Sequence, residues 1–176
     1  MEQIDILLAT YNGEKYLREQ LDSILNQTYQ NFKLIVSDDC STDLTREILK
    51  EYEEKDKRII VFYQEKNLCY IKNFEFLLKN VKSEYYALSD QDDVWKPEKI
   101  EVAMNMLKEN NADLYYCDLN LVDKDCNMLY ESYWKFRNKD ILYPCFVFLF
   151  GGINAKKIFI GHRCRCRCTC CRCLNL

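Results

Sequence analysis

Asp90, Asp92 and Asp93 crowd three carboxylates into the stretch DQDD, directly after the apolar run YYALS. Like charges this close raise one another's pKa, and a divalent cation relieves the repulsion while keeping coordination sites open for a further ligand. With oxygen donors and no His or Cys beside them, magnesium or manganese fits better than zinc. Such a cation commonly carries a diphosphate, which would explain how an anion approaches an acidic turn. Two other polar clusters follow apolar runs in the same way: Thr10, Tyr11 and Asn12 after IDILLA, and Ser37, Asp38 and Asp39 after FKLIV. Taken singly, each cluster also reads as a turn, a helix cap or a solvated loop. Neither GxxxxGK nor GxGxxG occurs, so a glycine-rich phosphate cradle is absent from the sequence.

The elements that must position these clusters alternate between strand-like and helix-like segments, the pattern of parallel strands joined by crossover helices. The apolar run from Ile4 to Thr10 is a strand; Leu17, Leu21, Ile24 and Leu25 then recur on one helical stripe. FKLIVSDD is a second strand, followed by a helix with Leu44, Ile48, Leu49 and Tyr52 inward. RIIVFYQ is a third, followed by a helix with Ile71, Phe74, Leu77, Leu78 and Val81 on one face. EYYALSDQ is a fourth, after which Pro97 suits the first position of a helix carrying Ile100, Ala103, Met104 and Leu107. ADLYYCDLNLV is a fifth strand, and residues 123 to 150 give no clear period. In an open parallel sheet, ligands bind outside the carboxyl ends of the strands. All three polar clusters therefore face one crevice.

A chain of 176 residues, 48% hydrophobic and 30% charged, has room for one domain with its own core. The four arginines of residues 162 to 176 leave 21 basic against 28 acidic groups in the body, which argues against a nucleic-acid partner. With an acid near the start and no long apolar run, the expectation is a cytoplasmic protein. Cys40, Cys69, Cys117, Cys126 and Cys145 read as small buried or half-buried side chains. Six further cysteines alternate with arginine between Cys164 and Cys173. The expected division is a domain over residues 1–155 and a low-complexity tail over 156–176 outside the fold. The tail admits three readings: a shifted or prematurely ended reading frame, a thiolate metal cluster, or a basic extension touching anionic lipid.

The stretches TYNG, DDCSTD and DQDDVW, in that order and spacing, make residues 3 to 125 resemble the N-terminal half of the family 2 glycosyltransferases, which have the GT-A fold. The spelling SDQDDVW is most similar to bacterial rhamnosyltransferase-type members that build surface polysaccharides. The resemblance implies an α/β, Rossmann-like, mostly parallel sheet flanked by helices and here C-terminally incomplete. It implies that Thr10, Tyr11 and Asn12 line a nucleoside pocket and that Asp38 and Asp39 contact the base or ribose. Asp90 and Asp92 match the DxD motif, Asp92 as ligand of Mn2+ or Mg2+ and Asp90 nearer the ribose. Trp95 is expected to pack at the helix start. The implied partners are a UDP- or dTDP-sugar and a saccharide or lipid-linked acceptor, with a peripheral attachment to the membrane's inner face as a further expectation. The implied reaction is transfer of a sugar with inversion, the metal stabilising the leaving diphosphate.

The sequence departs from that pattern after the DxD motif. The family's carboxylate general base lies in a later acidic motif, and this sequence has no acidic residue beyond Asp140. The alternative is therefore a remnant that binds nucleotide and metal without transferring sugar. A nucleotidyltransferase fits less well, because LLATYNGEKYL lacks repeated glycines. An incomplete domain would also expose apolar surface around CFVFLF and associate with itself.

Overall fold

The computed structural model describes residues 2–118, 120–123, 126–132 and 157–161. Among the described residues the elements are, in order, β1 (Ile4–Thr10), α1 (Leu17–Leu25), β2 (Phe32–Asp38), α2 (Thr45–Lys55), β3 (Ile59–Tyr63), α3 (Cys69–Lys79), β4 (Tyr85–Asp90), α4 (Lys99–Glu109), β5 (Leu114–Cys117), β6 (Leu121–Val122), β7 (Met128–Tyr130) and β8 (Lys157–Gly161). Six strands form one sheet in the order β3-β2-β1-β4-β8-β5, and every pairing in it is parallel. The short antiparallel pair β6-β7 stands apart from it.

Strand alternation sorts the core into two layers. Ile4, Ile6 and Leu8 of β1, Leu34 and Val36 of β2, and Tyr85 and Ala87 of β4 pack with Leu17, Leu21 and Ile24 of α1, Ile48 and Leu49 of α2, and Ile100, Met104 and Leu107 of α4. The opposite parity, Leu7, Ile35, Tyr86 and Leu88, packs with Phe74, Leu77 and Leu78 of α3. Both faces of the central strands are thus covered, which is why they read as continuous apolar runs. Each large aliphatic side chain so enclosed contributes about 1.5–3 kcal/mol by leaving water.

Several expectations are corrected. The anticipated fifth strand is broken: only Leu114–Cys117 joins the main sheet, while Leu121–Val122 pairs with β7. Ile71 and Leu44, expected inward, are 63% and 61% exposed. Both sit at helix starts, where the first turn projects past the packed sheet, and Phe74 and Ile48 are the first apolar side chains to reach it. Helix α4 begins at Lys99 rather than at Pro97, because Lys96 and Lys99 close a turn ahead of it, with Lys99 N donating to Lys96 O at 3.1 Å. Cys69 and Cys126 are exposed, not buried, and Cys40 and Cys117 are half-buried. The sheet also continues beyond the boundary expected at residue 156: Lys157–Gly161 lies between β4 and β5, pairing Tyr85 with Lys157 and Cys117 with Gly161. Cys145, the stretch CFVFLF and the Cys/Arg-rich residues 162–176 lie outside the described residues.

Candidate functional site

Strand register brings the three polar clusters to one edge. Thr10 is the partner of Asp38 across β1 and β2, and Ala9 is the partner of Asp90 across β1 and β4. The clusters therefore end their strands side by side at the carboxyl edge, where crossover helices begin and a parallel sheet offers a ligand crevice.

The loop after β1 and the loop after β2 are locked together by their own capping residues. Asn12 N donates to Ser41 Oγ at 2.9 Å, Gly13 N to Thr45 Oγ1 at 2.8 Å and Thr42 N to Asn12 Oδ1 at 2.8 Å. Glu14 N donates to Asp43 Oδ2 at 3.1 Å while Leu44 N donates to Glu14 Oε2 at 2.9 Å, a reciprocal cap shared between two loops. Burial pushes the Asp43 carboxyl upward, but hydrogen bonds from Thr45 and the Glu14 backbone hold it below the usual carboxylate value. Asn12 takes the left-handed conformation the turn needs, at φ 48°, which asparagine tolerates well.

Below this edge lies Asp38, with no exposed surface. Its Oδ1 accepts from Thr10 Oγ1 at 3.2 Å and from Ser41 Oγ; its Oδ2 accepts from Ser41 N at 3.1 Å and from Arg46 Nε at 2.7 Å. Thr10 and Asp38 thus support the edge from beneath. Asp39 is 3% exposed and ties β2 to the loop before α3, accepting from Leu68 N at 2.6 Å through Oδ1. Asn67 Nδ2 reaches Asp39 O at 3.2 Å, so the loop before α3 is tied to the end of β2.

The acidic turn is positioned from two sides. Asp90 and Asp92 are half-buried, whereas Asp93 is 2% and Trp95 3% exposed, the latter within the layer of α1 and α4, as its packing role requires. On one side Gln91 pairs with the peptide of Tyr11, accepting from Tyr11 N at 2.7 Å and donating to Tyr11 O at 3.0 Å. On the other, a polar stripe running along and just past α1 grips the chain from Ser89 to Ile100. Gln20 Nε2 donates to Ser89 Oγ, Trp95 N donates to Ser23 Oγ at 3.0 Å, and Gln27 accepts from Ile100 N at 3.0 Å while donating to Lys96 O at 2.7 Å. None of Gln20, Ser23, Gln27 or Arg46 is singled out by sequence for this edge, and Gln91 reads there only as a member of the polar DQDD stretch. The signal that could have found the first three is their spacing on one side of the helix, interrupting no part of the apolar stripe.

Among the described residues, no group of three His, Cys, Asp or Glu side chains is arranged to hold a metal ion. The half-buried pair Asp90 and Asp92 is compatible with a magnesium-type ion, which takes one or two carboxylates and fills its shell with phosphate and water. Among the described residues, no helix is long and apolar enough to cross a membrane.

Residues 5–170 match the sequence profile of the family described as glycosyl transferase family 2. An uncharacterised glycosyltransferase of Haemophilus influenzae is 35% identical over 133 residues, which cover 74% of this chain and 41% of the relative. The dTDP-rhamnosyl transferase RfbG of Shigella flexneri is 39% identical over 131 residues, covering 66% of this chain and 45% of that protein. Among solved structures, S. aureus TarS 1-349 in complex with UDP-GlcNAc superposes with a TM-score of 0.63 at 31% identity, over 68% of this chain and 35% of that one. The chain spans less than half the length of these relatives.

Proposed function

Because the chain belongs to glycosyl transferase family 2, we propose that its crevice binds a nucleoside-diphosphate sugar and that the sugar passes with inversion to an acceptor hydroxyl in surface-polysaccharide synthesis. The observation that carries this reading is the register of Thr10, Asp38 and Asp90 at one carboxyl edge of a parallel sheet. The UDP-GlcNAc complex of TarS and the dTDP-rhamnosyl activity named for RfbG support a UDP- or dTDP-sugar as donor. The putative teichuronic acid glycosyltransferase TuaG of Bacillus subtilis, 32% identical over 122 residues, supports a cell-surface polymer as product. A cytoplasmic site of action, where such nucleotide sugars are held, completes the reading.

In this proposal the residues divide into two roles. Tyr11, 48% exposed at the rim, with Asp39 and Asp90, contacts the nucleoside. Thr10, Asn12 and Asp38 hold the two loops in place, since their polar groups are taken by Asp38, Thr42, Ser41 and Arg46. Asp92, with Asp90, would hold Mn2+ or Mg2+. When bound, that ion supplies Lewis-acid stabilisation of charge growing on the leaving diphosphate. The three acidic positions on one turn make little sense against an anionic donor without it.

Calorimetric titration of the chain with UDP, dTDP and GDP, with and without manganese, tests the reading. Binding that manganese strengthens, and that Asp92→Ala returns to its metal-free level, is the expected result. No binding of any of the three would overturn it. Binding without sugar transfer in a donor-turnover assay would favour a non-catalytic nucleotide-binding role.

A further inference from the structure

Gln91 stands in the acidic turn between Asp90 and Asp92, but its side chain leaves that turn for the loop after β1. Its amide pairs with the N–H and the C=O of Tyr11, accepting from N at 2.7 Å and donating from Nε2 to O at 3.0 Å, as a neighbouring strand would. Strand β1 pairs with β4 only as far as Ala9, so Tyr11 lies two residues beyond the last ladder partner on that side, and Gln91, next after β4, continues the pairing through a side chain. The chain makes room for this. A Cβ at position 13 would stand 2.4 Å from Gln91 Oε1 and 2.7 Å from its Cδ, closer than any side chain tolerates. Gly13 does not occupy a left-handed conformation, so a side chain is barred there by the glutamine and not by the backbone.

We propose that Gln91 is a positioning residue of the donor site: it fixes Tyr11, and with it the half-exposed ring at the crevice rim, from the turn that carries Asp90 and Asp92. The inference rests on the donor-site reading above. A free Tyr11 peptide would pay the cost of ordering when ligand binds, whereas a clamped one presents its ring already in place. Two hydrogen bonds at the exposed rim, both lost together, set the expected size of the effect at about tenfold.

The test is a double-mutant cycle on the full chain, read as the dissociation constant of whichever of UDP, dTDP and GDP binds tightest. Gln91→Ala is expected to weaken binding about tenfold, consistent with those two hydrogen bonds. Gly13→Ala is expected to weaken it comparably, because the new methyl group displaces the amide. In the Gln91→Ala background, Gly13→Ala should then cost nothing, since the obstructing side chain is gone. The ratio of variant to wild type should be the same with and without manganese, as required of a residue acting through Tyr11. Thermal melting of each variant confirms that the fold persists. An unchanged affinity in Gln91→Ala, a full additional cost of Gly13→Ala in its presence, or a loss confined to manganese-containing samples would each overturn the assignment. Failure of the wild-type chain to bind any of the three nucleotides would overturn the donor-site reading and this inference with it.

Discussion

Arg46 donates from Nε to Asp38 Oδ2 at 2.7 Å, and the two partners are unequally solvated: the Arg46 side chain is 32% exposed and that of Asp38 not at all. The guanidinium also reaches Gln64 O at 2.6 Å from its second arm and lies 5.7 Å from the centre of the Tyr63 ring. One arginine therefore neutralises the buried carboxylate and fixes the loop after β3. Arg46→Met keeps the apolar stem but leaves the buried Asp38 carboxyl with only hydroxyl and amide donors. Complete burial of an uncompensated charge costs about 3–5 kcal/mol, and the partial exposure on the arginine side lets water recover some of it. The expected loss in urea unfolding is about 2–3 kcal/mol, and the double variant Arg46→Met with Asp38→Asn should lose less than the sum of the singles.

Gln27 stands past the end of α1 and caps a different helix. No side chain of α4 caps its own N-terminus; Gln27 Oε1 accepts from Ile100 N, while Gln27 Nε2 donates to Lys96 O and to Ser23 O. Its burial is nearly complete, at 1% exposure. Gln27→Met fills the same volume and leaves the Ile100 N–H without its partner, a cost of about 1–3 kcal/mol in chemical denaturation. Gln27→Glu preserves the acceptor and should retain part of that stability. Hydrogen exchange at Ile100 is the local readout, and faster exchange there in Gln27→Met but not in Gln27→Glu is the expected pattern.

The apolar periodicity placed β1 to β4 and all four helices, because each strand is covered on both faces and each helix carries a stripe long enough to register. The edge of the site was legible for the same reason: once Ile4–Thr10, Phe32–Asp38 and Tyr85–Asp90 are parallel strands, their polar ends must meet. The contacts that hold the edge were not. Gln91 reaches a residue 80 positions away and Gln20 one 69 positions away, and a neutral amide has no periodic signature that announces its partner. The inward placement of Ile71 failed because helical spacing fixes an azimuth and not how far the helix overlaps the sheet. The split of the fifth strand arose where ADLYYCDLNLV alternates just well enough to suggest continuity across residues 118 to 120.

Cys40, in the loop that follows Asp39, has φ 64°. The left-handed region costs an L-residue roughly 1–2 kcal/mol, and the compensating contact is slight, a thiol 3.8 Å from Glu65 O. Cys40→Gly removes the steric penalty at the price of a more flexible unfolded chain, worth about 0.5–1 kcal/mol. The net expectation is a stabilisation of about 0.5–1 kcal/mol in urea unfolding, with Cys40→Val, whose branched side chain is worse suited to this conformation, destabilised instead.

Acid sensitivity should be set partly by Glu51, whose two oxygens meet Arg18 at 2.6 Å and Lys55 at 2.6 Å. The hydrogen bonds from Arg18 and then Lys55 hold its carboxyl down at about 2, below the ordinary value of 4.5. A carboxyl depressed in the folded state favours folding above its unfolded pKa, and that contribution disappears as pH falls from about 4.5 through about 2. Solvent and salt screen an exposed cluster of this kind, so its share is small and should vanish in about 1 M salt. Glu51→Gln is therefore expected to leave the melting temperature at neutral pH nearly unchanged and to flatten its fall on acidification at low ionic strength. An equally steep fall in the variant would assign the acid transition to other carboxylates, with Asp43 and Asp56, also held below the usual carboxylate value, the first to examine by Asp43→Asn and Asp56→Asn.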